Sequence, residues 1–123
     1  MELIRFPVYA PATIAGVSIT IWPVHSALAD ELFVNMEEYD EITFAITITN
    51  ANSLVACKLQ WSPDAETAHA EDIYDFGAIA AGTTESHTVN NNKYTYMRVI
   101  ATGNVNPNEV DAEVYVTAKR KVM

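Results

Sequence analysis

The stretch DEITFAITITN, residues 40–50, carries a large apolar side chain at Ile42, Phe44, Ile46 and Ile48, with Thr43, Ala45, Thr47 and Thr49 between them. A period of two puts alternate side chains on opposite faces of an extended chain, so this run predicts a half-buried strand. Its inward face is aliphatic and aromatic and its outward face is threonine, and both residue classes fit a pleated surface.

The same alternation recurs on either side. In GVSITIWPV, Val17, Ile19 and Ile21 alternate with Ser18, Thr20 and Trp22. In SLVACKLQWS, Val55, Cys57, Leu59 and Trp61 face one way, and the short linker TNANS before it predicts a hairpin with the residue 42–48 strand. DIYDFGAI, ESHTV, KYTYMRVIATG and VDAEVYVTAKRK supply further strands, bounded by AAGTT, the triple asparagine 90–92 and NVNPNE. HSALADELFVNMEEY mixes helical and alternating patterns and is read as a loop over residues 24–30 and a strand over 31–36. About seven or eight short strands with regularly spaced turns predict an all-β fold, a single antiparallel β-sandwich of Ig-like or jelly-roll-like kind over residues 13–123. Residues 1–12, interrupted by Pro7 and Pro11, read as an extended N-terminal arm, because proline cannot donate to a regular ladder.

Composition narrows the function. The 123 residues suit one domain with a real core, and half of them are apolar. A net charge of −9 repels phosphate backbones, which argues against nucleic acid. Three of the seven basic residues, Lys119, Arg120 and Lys121, gather near the C-terminal end. No apolar run reaches the roughly 18 residues of a membrane span. The N-terminus lacks the charged and apolar regions of a signal peptide, so synthesis in the cytoplasm is expected. The single Cys57 sits in an apolar alternation and reads as an inert buried thiol.

LQWSPDAETAHAEDIYDFGAI, residues 59–79, concentrates Asp64, Glu66, Glu71, Asp72 and Asp75 around His69. These oxygens resemble a calcium ligand set in number, but no EF-hand spacing or internal glycine supports one. His25, His69 and His87 lack a paired motif for zinc, and no nucleophile elbow accompanies Ser62 or His87. The expectation is a solvated connection with no catalytic residue, metal or cofactor. Trp22, Tyr94, Tyr96 and Tyr115 fall opposite the aliphatic positions and read as exposed aromatics, suited to an interface or to stacking on sugar.

Taken in order, LQWSPDAE, FGAIAAGTTESHTV, YTYMRVIATGN and the closing AKRK resemble the small β-sandwich structural proteins of tailed bacteriophages, the capsid decoration and head-module proteins. The likeness runs from about residue 30 to 121, and departs where the glycine usual after Ser-Pro-Asp is Ala65. It implies a non-enzymatic virion protein that stabilises the coat shell, with the major capsid protein and its own copies, as a homotrimer, for partners. No nucleic acid, membrane or small-molecule ligand is implied. The contact residues expected on this reading are Leu3, Ile4, Phe6, Val8 and Tyr9 in the arm, with Trp22 as an anchor. The competing reading is a carbohydrate-binding module stacking sugar on Trp22, Tyr94 or Tyr96.

Overall fold

The structure is a computed structural model describing residues 3–6, 12–14, 16, 18–23, 33–103 and 109–121. Ten strands occur among them: β1 (Leu3–Arg5), β2 (Ala12–Ile14), β3 (Ser18–Trp22), β4 (Val34–Asn35), β5 (Tyr39–Ile48), β6 (Ala56–Ser62), β7 (Glu71–Asp75), β8 (Thr84–Val89), β9 (Tyr96–Thr102) and β10 (Val110–Arg120). They form two antiparallel sheets. One runs β1-β10-β5-β8 with β2 also on β10, and the other runs β3-β9-β6-β7 with β4 also on β9. Because β1 with β2, and β3 with β4, each extend along one partner strand, the plan is four strands over four. The alternation predicted an antiparallel sandwich, and the chain order through the two sheets is that of a jelly roll.

The core lies between the sheets. Ile42, Phe44, Ile46 and Ile48 of β5 are buried, and Val110, Ala112, Val114, Val116 and Ala118 of β10 lie beside them. Cys57 and Leu59 of β6 and Met97, Val99 and Ala101 of β9 close the core from the other sheet. Burying a side chain the size of Phe44 contributes roughly 1.5–3 kcal/mol, so these positions hold the sheets together. The threonine face of β5 is outward, where Thr43 pairs with Thr88 at 2.9 Å and Thr47 with Thr84 at 2.8 Å across the β5–β8 ladder. Such cross-strand hydroxyl pairs fix register and add a few tenths of a kcal/mol or more each.

Three local expectations are corrected. The 49–53 segment does not close a hairpin: β5 and β6 belong to different sheets, and the linker crosses between them. Asn50 and Asn52 each donate a side-chain N–H to the Glu109 carbonyl, tying the crossing to the segment before β10. Second, a register shift between Thr20 and Trp22 reverses the parity of β3. A bulge turns the next side chain to the other face. Trp22 is therefore 2% exposed and packs edge-on to Phe44 at 5.2 Å between ring centroids. Third, Leu54 rather than Val55 faces inward, since Leu54 bridges Ile79 and the chain bends at Val55.

The N-terminal segment expected to reach outward is a strand of its own sheet at residues 3–5, with Leu3 opposite Lys119 and Arg5 opposite Thr117. Residues 12–14 resume on the same edge, Ile14 opposite Val110. Pro7 and Pro11 fall in the interval between, outside the described residues. Gly103 is required near this edge, because a Cβ there would lie 2.1 Å from the Ile14 carbonyl oxygen. No helix among the described residues is long and apolar enough to cross a membrane.

Candidate functional site

Two regions bear on function: the edge formed by β1 and β2, and the connection between β6 and β7. At the edge, β1 is the last strand of its sheet. Leu3 is 48% exposed, whereas Ile4 and Phe6 pack against the core. The Phe6 N–H extends the ladder to the Val116 carbonyl at 3.0 Å. Its ring stands edge-on to Trp22 at 5.9 Å and to Tyr39 at 5.5 Å. Of the arm residues expected to form contacts, the structure thus divides Leu3, which faces outward, from Ile4 and Phe6, which close the molecule's own core. Val8 and Tyr9 lie outside the described residues. Trp22 is buried and presents no anchor or stacking face, a correction that follows from the β3 bulge. Beside the edge, Lys119 pairs with Glu41 and Arg120 with Glu38, each at 3.4 Å on the surface. Exposed pairs of this kind add little to stability.

The carbohydrate reading loses a second member of its platform. Tyr94 packs against Trp61 at 5.2 Å between centroids and is partly buried with it against the core. Tyr96 is half-buried. Tyr115 is exposed on the outer face of β10, where its hydroxyl donates to Glu113. This bond favours the protonated phenol and is the first cause raising the Tyr115 pKa above its ordinary value.

The β6–β7 connection is built around two buried polar groups. Ser62 ends β6 with no exposure, and its hydroxyl accepts the Glu66 N–H at 3.1 Å. It stands 2.9 Å from Asp64 Oδ1 and 3.0 Å from the Glu66 carbonyl, and donates to one of them. Arg98 is on the face of β9 away from the core, yet only 3% exposed. Its Nε and Nη2 donate to Gln60 Oε1 at 3.1 and 2.9 Å, its Nη1 donates to Thr67 Oγ1 at 3.1 Å, and its guanidinium lies 4.5 Å over the Phe33 ring. Paired on several sides, this guanidinium satisfies the condition for burying a charge. It pins the 3-10 turn Thr67–His69 against the sheet.

That turn brings His69 back to the Ser-Pro-Asp corner. His69 Nδ1 lies 2.7 Å from Asp64 Oδ2 and 3.5 Å from Glu66 Oε2. Partial burial pushes the Asp64 carboxyl up, but hydrogen bonds from Ser62, His69 and the Glu66 N–H, with the His69 charge, outweigh it and leave the pKa below its ordinary value. Ala65 between them holds φ at +61°, the left-handed conformation that glycine adopts freely. The turn thus holds a left-handed residue without a glycine. Sequence reasoning missed this grouping because Asp-x-Glu-x-x-His matches no regular ligand spacing. The available signal was the Ser-Pro-Asp turn itself, which reverses the chain.

Cys57 is buried, and desolvation, with Asp75 nearby, pushes its thiol up to about 12, as expected of an inert thiol.

No protein-family model matches the sequence, and no curated protein matches it. Solved structures do match by fold. A protein of the Bacillus endospore appendages, described as a novel family of disulfide-linked pili, superposes with a TM-score of 0.59 at 11% identity, over 98% of this chain and 89% of that one. The PBSX exported protein XepA superposes with a TM-score of 0.64 at 11% identity, over 99% of this chain. The chain spans 38% of XepA's length. At such identities the likeness is one of fold alone.

Proposed function

We propose that this protein is a non-enzymatic structural subunit of a bacteriophage virion, a capsid decoration or cement protein that binds the coat shell and other copies of itself. The observation that carries this reading is the position of β1 and β2. They are two three-residue strands at the outermost edge of a sheet, with Leu3 turned to solvent. A sheet edge offers backbone donors and acceptors to a neighbouring chain, so a subunit built to assemble can add a strand there. The sequence resemblance to phage head-module sandwiches points the same way. So does the shared fold with a protein of pili, which are assemblies of many subunits. The partners on this reading are the major capsid protein and further copies in a homotrimer. The work is done by buried area, on the order of 1,600 Å² for a standard interface.

The sugar-binding alternative gains nothing from the structure, since Trp22 and Tyr94 are engaged inside the molecule. The test is coexpression with the major capsid protein of the phage that encodes the chain. Copurification with shells and a trimeric mass by light scattering are expected. Leu3→Asp should reduce occupancy on shells at least about tenfold, since a charge in an interface core costs several kcal/mol, and leave the melting temperature unchanged. A monomer that ignores shells, or full occupancy by Leu3→Asp, overturns the reading.

A further inference from the structure

We propose that Asp64, Glu66 and His69 form a binding site for one divalent transition-metal ion of the zinc type. The ligands are Asp64 Oδ2, a Glu66 carboxylate oxygen and His69 Nδ1, and the fourth position is open to water.

The donor set is the first argument. Ligand atoms from all three side chains lie within 4.8 Å of one another. An imidazole nitrogen facing two carboxylates is a mixed nitrogen and oxygen set, which suits zinc and its neighbours in the first transition row. Calcium prefers six to eight oxygens. Bond lengths near 2.0–2.1 Å place tetrahedral ligands about 3.3 Å apart. The His69 Nδ1–Glu66 Oε2 distance of 3.5 Å already matches that edge. The Nδ1–Asp64 Oδ2 distance of 2.7 Å needs to open by about 0.6 Å when an ion replaces the hydrogen between them.

The surroundings are the second argument. Metal-binding carboxylates are oriented by groups behind them. Asp64 Oδ1 is held by the Glu66 N–H at 3.2 Å and lies 2.9 Å from the hydroxyl of fully buried Ser62, which leaves Oδ2 turned to the ring. Arg98 fixes the following turn through Thr67, so the imidazole is carried on an anchored backbone. All three side chains are exposed, so a fourth ligand can reach the ion from solvent. Binding would lock the β6–β7 connection, and the site is independent of the assembly edge.

The test is titration of the intact, chelator-treated chain with cobalt(II) and with zinc. One equivalent of cobalt is expected to give the visible absorption of a tetrahedral ion, displaced by zinc, and zinc is expected to raise the melting temperature. His69→Gln and Asp64→Asn should each weaken binding at least tenfold. Asp72→Asn, on the same hairpin but outside the triad, should not. The metal-free melting temperature of each variant separates ligand loss from misfolding. Zinc binding by His69→Gln at parental affinity, an equal loss in Asp72→Asn, or tighter binding of calcium than of zinc each overturns the site.

Discussion

Among the described residues, Phe6 closes one flank of the sandwich and an aromatic stack closes the other. Along the β1/β2 edge, Phe6 enters the core between Trp22 and Tyr39 from a ladder interrupted after three residues. Along the β7/β8 edge, Tyr74 of one sheet lies flat on His87 of the other at 3.9 Å, with Phe76 edge-on to Tyr74 at 4.9 Å. The edges differ in charge as well. β7 carries Glu71, Asp72 and Asp75, all exposed, which discourages pairing with another chain. β1 offers Leu3 and Arg5. Among the described residues, the β7 edge thus carries three exposed carboxylates where the β1 edge carries a leucine and an arginine.

Substitutions on the two flanks test whether this contrast is energetic as well as geometric. The largest effect is expected for Phe6→Ala, a loss of roughly 2–3 kcal/mol in urea unfolding, since a partly buried phenylalanine falls below the 3–5 kcal/mol of a fully buried one. Tyr74→Ala on the stacked flank should cost about 1 kcal/mol, because that ring is 40% exposed. Equal losses at the two positions would break the comparison. Ala65→Gly should stabilise by about 1 kcal/mol, as it relieves a left-handed φ on a residue with a Cβ. A neutral or negative result would show that the β6–β7 turn is held by Ser62 and Arg98 strongly enough to mask the strain.

The smallest effect is a pH dependence of the stacked flank. Burial against the aromatic rings holds the His87 pKa below its ordinary 6.5. The unfolded chain therefore takes up a proton first as pH falls. Stability from this group is complete above pH 6.5, declines as pH drops through that value, and levels off below the folded pKa. Unfolding at pH 7.5 and at 5.5 should differ more in the parent than in His87→Gln, while Phe6→Ala should retain the parental difference. An identical slope in His87→Gln would remove the histidine from the account.

How far the sequence carries can be seen in β5 and β3. In β5 the alternation runs unbroken from Ile42 to Ile48, and every inward position is buried. In β3 the same rule sent Trp22 outward, because a bulge shifts parity without leaving a mark in composition. The pairing partner of a strand is equally silent. β5 and β6 look like a hairpin at short range, yet they occupy separate sheets, and contacts with Glu109 and Asp111 far along the chain help hold the crossing. The burial of Arg98 leaves no mark in its own strand, because the covering Thr67 turn and Phe33 come from elsewhere in the sequence. The acidic loop read as solvated, and its side chains are indeed exposed. What the alternation lacked was the third dimension, in which the Ser62 corner folds Asp64, Glu66 and His69 together.

Cys57 gives the molecule a built-in clock. Its sulfur is shut between the sheets and its proton is held to about pH 12, so a thiol reagent at neutral pH meets neither access nor thiolate until the sandwich opens. The rate of alkylation then counts openings of the core. Measured on the parent and on Phe6→Ala, it would report how much longer the sandwich stays shut with that ring in place.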